Sequence, residues 1–315
     1  MNPTRATALQ LCPFTPQLEA GLRDRFEVIR WFELGAQEQE SLLRDRPPSV
    51  RAVVSGGHIG CPNALMNALP SLGVIAINGV GFDKVDLDLA RSRGIRVSTT
   101  PGALTEDVAD LAIGLIIGLL RGIPAADAYV RAGDWLKGDR PPARKVSGRR
   151  FGVVGLGAIG LAIADRLAAF GPVAYTGPRE KLVPYAYHPD LTGLAQACEV
   201  LVIACPANAS TRHLVDAAVL DALGPDGVLV NVARGSIVDE AALIAALEAG
   251  RLAGAALDVF EDEPRVPEAL RASPKVVLTP HIASATVETR QRMAEIVLAN
   301  LDAYLTGAPL PTALV

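Results

Sequence analysis

From residue 151 onward the chain alternates short apolar runs with segments whose apolar residues recur at helical spacing. Runs at 151–157, 173–175, 200–205, 228–233, 255–259 and 276–279 predict strands. The segments 159–170, 194–197, 216–223 and 239–248 predict helices. Continuous apolar runs between amphipathic helices predict a parallel sheet covered on both faces. The N-terminal part repeats the theme in smaller form, with strands expected at 8–11, 52–55, 74–77 and 96–98 and helices at 16–23, 64–69 and 87–94.

Between these halves lies 104–121, apolar nearly all round and therefore expected to be buried against another body. The stretch GDWLKGDRPPARKVS at 133–147 is polar and proline-rich and reads as an exposed arm. A helix over 287–306 follows the last strand of the larger half. No further strand comes after it, so it is expected to pack back on the first domain and make that domain discontinuous. The pattern predicts an α/β protein of two doubly wound parallel-sheet domains, the smaller one flavodoxin-like.

Composition narrows the classes. The chain has 315 residues, 50% hydrophobic and 20% charged, with a formal net charge of -4. Lysines and arginines are spread along the chain, which argues against nucleic acid and a membrane surface as partners. The run LAIGLIIGLL at 111–120 is too short for a membrane span, which takes about 20 residues. The first residues lack the apolar core of a signal peptide. The cysteines Cys12, Cys61, Cys198 and Cys205 form no CxxC pair and no metal-ligand spacing. They are expected to be reduced thiols in a cytoplasm, with no metal site. Cys205 follows VLVIA and reads as a small buried apolar residue.

Gly155-Leu156-Gly157-Ala158-Ile159-Gly160 fits G-x-G-x-x-G, between a predicted strand and a predicted helix. Gly155 permits the tight turn, Gly157 lets backbone approach a pyrophosphate, and Gly160 lets the helix pack on the strand. The helix N-terminus then offers unpaired N–H groups to phosphate. An NAD site would place an acid at the end of the next strand, on the ribose 2′-OH. Here the chain reads Tyr175-Thr176-Gly177-Pro178-Arg179. An arginine pairs with a 2′-phosphate where a carboxylate would repel it. NADPH is therefore the expected cofactor, with NADH used less efficiently.

Three further segments begin where predicted strands end: NVARG at 231–235, LDVFEDEP at 257–264 and TPHIAS at 279–284. Carboxyl ends of parallel strands form the ligand crevice of such a sheet, so Arg234, Asp258, Glu263 and His281 are candidates to converge. Hydride addition to a keto group builds negative charge on oxygen, which calls for a cation and a proton donor. A histidine titrates near working pH, at about 6.5 when unperturbed, and a carboxylate partner fixes its ring. Arginine matches a planar carboxylate. Of the other histidines, His58, His188 and His213 have no supporting motif and read as structural, although His58 lies in a glycine-rich loop near the expected substrate mouth.

With GVGFD at 79–83 and LTEDVAD at 104–110 added, these motifs resemble, in order, those of the D-isomer-specific 2-hydroxyacid dehydrogenases. The likeness runs from about residue 52 to the C-terminus and is greatest to glyoxylate/hydroxypyruvate and hydroxyphenylpyruvate reductases. It implies hydride transfer from NADPH to a small 2-keto acid, giving the D-2-hydroxy acid. It implies that Arg234 binds substrate, that His281 is the general acid and that Glu263 pairs with it. Asp258 would sit near the nicotinamide end. Thr105, Cys205, Pro206, Val232, Ala233 and Ala283 would line the cofactor with Gly155, Gly157, Ala158, Ile159, Gly160, Thr176, Gly177 and Arg179. Ser55, Gly56, the N–H groups of Val80 and Gly81, and Ser284 would line the substrate. Trp135 would close a partner's pocket across a homodimer interface. A Rossmann-type cofactor domain, 100–284, would be inserted in a substrate domain made of 1–99 and 285–315.

Two alternatives share this scaffold. Dinucleotide-sensing corepressors would be expected to carry extra docking segments, and this chain has almost no tail. NAD-linked oxidation of another acid, such as formate or phosphoglycerate, is disfavoured by the missing acid after Tyr175 and by the short C-terminus.

Overall fold

The computed structural model describes residues 5–45 and 50–315; Met1–Thr4, part of the N-terminal segment read above, lie outside them. The chain divides into two compact units, one taking it up to Leu104 together with Ala285–Val315, the other Thr105–Ser284.

The first unit runs β1 (Thr7–Gln10), α1 (Pro16–Arg25), β2 (Glu27–Arg30), α2 (Ala36–Asp45), β3 (Val50–Gly56), α3 (Asn63–Ala68), β4 (Val74–Asn78), α4 (Leu87–Ser92) and β5 (Arg96–Ser98). The strands form one parallel sheet ordered β2-β1-β3-β4-β5, the flavodoxin-like order. Alternate residues of each strand feed two cores. Val53, Ile75, Ile77 and Val97 face one side, and Ala52, Val54, Val74 and Ala76 the other.

The second unit opens with α5 (Thr105–Arg121) and α6 (Ile123–Arg131). It continues β6 (Phe151–Val154), α7 (Ala158–Leu167), β7 (Val173–Thr176), β8 (Ala186–Tyr187), α8 (Leu191–Ala197), β9 (Val200–Ile203), α9 (Ala217–Leu223), β10 (Val228–Asn231), α10 (Glu240–Glu248), β11 (Gly254–Leu257), α11 (Glu268–Arg271) and β12 (Val276–Leu278). Its seven strands are parallel, ordered β12-β11-β10-β9-β6-β7-β8. The order reverses between β6 and β9, which is where such sheets bind ligands. The long apolar helix α5 packs on α7 and on β10, β11 and β12. Val108, Ala112, Leu115, Ile116 and Leu120 are buried on it, while Leu111, Ile113, Ile117 and Leu119 are half-buried. The stretch expected to be buried against another body thus packs along one face of α5, and its other face is partly open. No single helix among the described residues is long and apolar enough to cross a membrane.

The last helix, α12 (Val287–Thr306), belongs to the first unit and packs on β4 and α1. Thr286 caps it, its side chain accepting from the N–H of Thr289. Ala294, Val297 and Leu301 join the core over Val74 and Ala76. Each large side chain buried there contributes roughly 1.5–3 kcal/mol.

Candidate active site

The glycine turn joins β6 to α7. Gly155 has φ +89, and a Cβ there would lie 2.6 Å from the Cβ of Cys205. Gly155 also donates from N–H to Thr176 O at 2.9 Å. The turn is thereby fixed between the ends of β7 and β9. A Cβ on Gly160 would collide with the carbonyl oxygen of Gly155, so only glycine fits. A Cβ on Gly157 would meet nothing within 4 Å. Gly157 is also the N-cap of α7 and provides no side-chain acceptor for its first N–H groups. An open approach and unsatisfied donors are what a pyrophosphate requires, so these residues fit a dinucleotide.

Thr176 ends β7 and is buried, and Gly177 after it has open space where a side chain would be. Arg179 is exposed. The chain then folds back. Lys181 donates from its backbone N–H to the hydroxyl of Tyr175 at 2.6 Å, and its ammonium to Leu156 O at 2.6 Å. A second cation therefore sits on the glycine turn itself. Sequence reasoning missed it, because only the folded loop brings Lys181 to Leu156.

Of the other expected cofactor residues, all but Thr105 also follow carboxyl ends of parallel strands. Cys205 and Pro206 follow β9, and burial pushes the Cys205 thiol up to about 11. Val232 and Ala233 follow β10, and Asp258 follows β11. Asp258 is fully buried. Its Oδ1 accepts from Thr279 Oγ1 at 2.6 Å and Ile282 N–H at 2.9 Å, and its Oδ2 from Ala283 N–H at 2.9 Å. In this structure the carboxylate anchors the loop after β12. Such hydrogen bonds to a charged group are about twice as strong as neutral ones.

That loop carries His281. Its N–H donates to Asp258 O at 2.8 Å, and its backbone is left-handed, φ 55. A non-glycine residue in this region costs on the order of 1–3 kcal/mol and persists where surroundings over-determine it. His281 Nδ1 lies 2.7 Å from Glu263 Oε2. A carboxylate only accepts, so Nδ1 carries the proton. Glu263 Oε1 accepts from Phe260 N–H at 3.0 Å, which fixes the carboxylate in turn.

Arg234 follows β10 and is half-buried. Its turn is braced by Asn231, whose amide Nδ2 donates to Arg234 O at 2.9 Å while Oδ1 accepts from Ala233 N–H at 3.0 Å. Gly235 after it abuts the backbone of Phe260 and Glu261 so closely that a Cβ would overlap it. The loops bearing Arg234 and Glu263 are therefore in direct contact. The role of Asn231 was carried by the NVARG motif but not assigned from it.

Other expected site residues are distributed as follows. Thr105 opens α5, and Ala283 and Ser284 follow His281. Ser55, Gly56, Val80 and Gly81 lie in the first unit, at the ends of β3 and β4. Ser55 is sealed in the sheet, its hydroxyl 3.4 Å from Gly56 O. Trp135 is in a short turn, Asp134–Lys137, and is 64% exposed. No metal-binding group of side chains occurs among the described residues.

A family model described as D-isomer specific 2-hydroxyacid dehydrogenase, NAD binding domain, matches residues 113–283. A glyoxylate/hydroxypyruvate reductase of Arabidopsis thaliana is 48% identical over 309 residues, covering 98% of each chain. A hydroxyphenylpyruvate reductase of Plectranthus scutellarioides is 47% identical, again over 98% of each. Among solved structures, an NADPH-dependent glyoxylate/hydroxypyruvate reductase of Sinorhizobium meliloti, in complex with NADP and malonate, superposes with a TM-score of 0.90. It is 42% identical and the match covers 99% of this chain and 97% of that one.

Proposed function

The chain belongs to the D-isomer-specific 2-hydroxyacid dehydrogenases, and from that premise we propose that it reduces a small 2-keto acid to the D-2-hydroxy acid with NADPH. The observation that carries the reading is the His281–Glu263 pair, 2.7 Å apart, on the strand-end edge that also holds Arg234 and the glycine turn. Gly155–Gly160 and the cations Arg179 and Lys181 would hold NADPH, which when bound would supply the hydride.

The residues act on the keto acid as follows. Arg234 binds the carboxylate and the keto oxygen, where a planar guanidinium makes a two-pronged contact. His281 gives its Nε2 proton to the oxygen as negative charge develops there. Glu263 accepts from Nδ1–H throughout, so the ring keeps its orientation and Nε2 is the nitrogen that donates. Asp258 holds the His281 loop in place. Val80 and Gly81 are assigned to the substrate carboxylate through their N–H groups. Glyoxylate, hydroxypyruvate and arylpyruvates are the proposed substrates.

A homodimer is part of the same reading. Ile123, Val130, Trp135 and Leu136 are exposed on one stretch of the second unit, and exposed apolar patches of this kind mark interaction surfaces. Sedimentation of the wild type and of a Trp135→Ala, Leu136→Ala variant tests it.

The substrate reading is tested by NADPH oxidation with glyoxylate, hydroxypyruvate and hydroxyphenylpyruvate, with chiral analysis of the products of the last two, since glycolate from glyoxylate is achiral. At least one of these is expected to be reduced, and any chiral product is expected to be the D-isomer. Inactivity with all of them, or an L-product, would contradict the proposal.

A further inference from the structure

Among the described residues, two non-glycine positions have left-handed backbone: His281 at φ 55 and His213 at φ 49. They hold two carboxylates of one short loop. His281 takes Glu263. His213 Nε2 lies 2.8 Å from Glu261 Oε1, and Arg212 donates to the same oxygen at 2.9 Å. We propose that His213 is a positioning residue for the catalytic pair, acting through Glu261 on the loop that carries Glu263. The proposal rests on the reading of His281 and Glu263 given above.

Three segments interlock here. His213 N–H donates to Ser236 O at 2.8 Å, which ties it to the turn that follows Arg234. Gly235 in that turn abuts the backbone of Phe260 and Glu261. Glu261 N–H in turn reaches Glu240 Oε2, 3.4 Å away, at the start of α10. The loop after β11 is thus gripped at Glu261 from one side and at Glu263 from the other. Moving it displaces Glu263 relative to Arg234.

The grip also decides which acid meets His281. Glu261, Asp262 and Glu263 are consecutive carboxylates on one turn. With Glu261 bound by His213 and Arg212, and Asp262 by Arg265 at 2.8 Å, Glu263 is the carboxylate presented to His281. Arg212 is 61% exposed and Glu261 only 29%. An exposed arginine contributes little to fixing a geometry, because water competes for it. His213, with its backbone pinned at Ser236, is the stiffer partner. Its left-handed conformation is consistent with that duty, since strain of this kind persists where neighbours over-determine it.

The test uses the full-length enzyme with NADPH and hydroxypyruvate. His213→Gly keeps the left-handed backbone without strain and removes only the ring. We expect kcat to fall about tenfold, part of the 10²–10⁴ typical of general acid catalysis, with the Kd for NADPH unchanged. His213→Asn, which tolerates this backbone and keeps an N–H donor, recovers part of the loss. In a Glu263→Gln background, His213→Gly costs nothing more. A tenfold loss repeated in that background overturns the proposal, and so does wild-type kcat in His213→Gly when Glu263→Gln is impaired. Wild-type kcat in Glu263→Gln alone overturns the reading of the pair itself.

Discussion

His281 and Glu263 meet through Nδ1 and Oε2 at 2.7 Å, and the two come from loops after different strands, β12 and β11. The contact commits Nδ1–H to the carboxylate, so a proton passed to substrate leaves from Nε2. It also explains the effort spent on the surrounding backbone. Asp258 binds one loop, Phe260 N–H fixes the carboxylate of the other, and Gly235 lets a third approach.

Replacing Arg234 by lysine is expected to lower kcat/KM for the keto acid by at least tenfold, since a point charge cannot reproduce a planar two-pronged contact. Hydrogen bonds to charged groups are worth about 1.5–3 kcal/mol each, and each 1.4 kcal/mol is about tenfold. Steady-state kinetics over keto-acid concentration measures it. Unchanged kcat/KM would remove Arg234 from the substrate.

The cofactor loop makes a separate prediction. Wild type is expected to prefer NADPH over NADH by about ten- to hundredfold, from one charge-assisted contact of the size above. Thr176→Asp with Arg179→Ala is expected to shift the ratio toward NADH, because an aspartate accepts from ribose hydroxyls and repels the phosphate. Lys181→Ala is expected to weaken NADPH as well, because its ammonium is tethered to the glycine turn at Leu156 O. Ratios of kcat/KM for the two cofactors decide the matter, and an unchanged ratio in the double variant would refute the assignment.

Asp258→Asn tests the loop anchor. The amide would turn an N–H group toward a position now reached by backbone N–H of Ile282 or Ala283. An unmet buried donor costs about 1–3 kcal/mol. The expected result is a lower Tm together with a lower kcat. A variant with wild-type values of both would show that the anchor is dispensable.

Glu240 gives a pH prediction. Burial holds its carboxyl above the usual carboxylate range, and the nearby Glu261 and Asp262 add to this. The folded state therefore binds this proton more tightly than the unfolded state. The stability it lends is complete below the unfolded pKa of about 4.3 and is lost as pH rises through the folded value. Glu240→Gln should raise Tm at neutral pH, with the gain shrinking toward acid. Thermal melts across pH would contradict this if the gain were absent at pH 7 or grew on acidification.

How much of this was legible in the sequence follows from burial. The central strands of both sheets are buried on two faces and appear as unbroken apolar runs, so β3, β4, β6, β9 and β10 were readable. Each chemical motif begins where such a run ends, which put Arg234, Glu263 and His281 on one edge before any coordinates. Edge elements carry no such signal. Strand β2 reads EVIR and is not buried at any residue, and α2 reads AQEQESLLRD with none buried either. Helix α6 likewise buries no residue. Contacts made by folded loops were invisible as well. Nothing in the spacing of Lys181 and Leu156, or of His213 and Glu261, announces that they touch.

The central claim, that His281 delivers the proton in an NADPH-dependent reduction, meets its most direct test in one comparison. The rate of NADPH oxidation with hydroxypyruvate is measured for wild type and His281→Ala, with NADPH affinity determined for both by fluorescence. The account predicts turnover lowered by about 10²–10⁴ with NADPH binding nearly unchanged. Mutant turnover within about a factor of two of wild type, far outside that range, would contradict it.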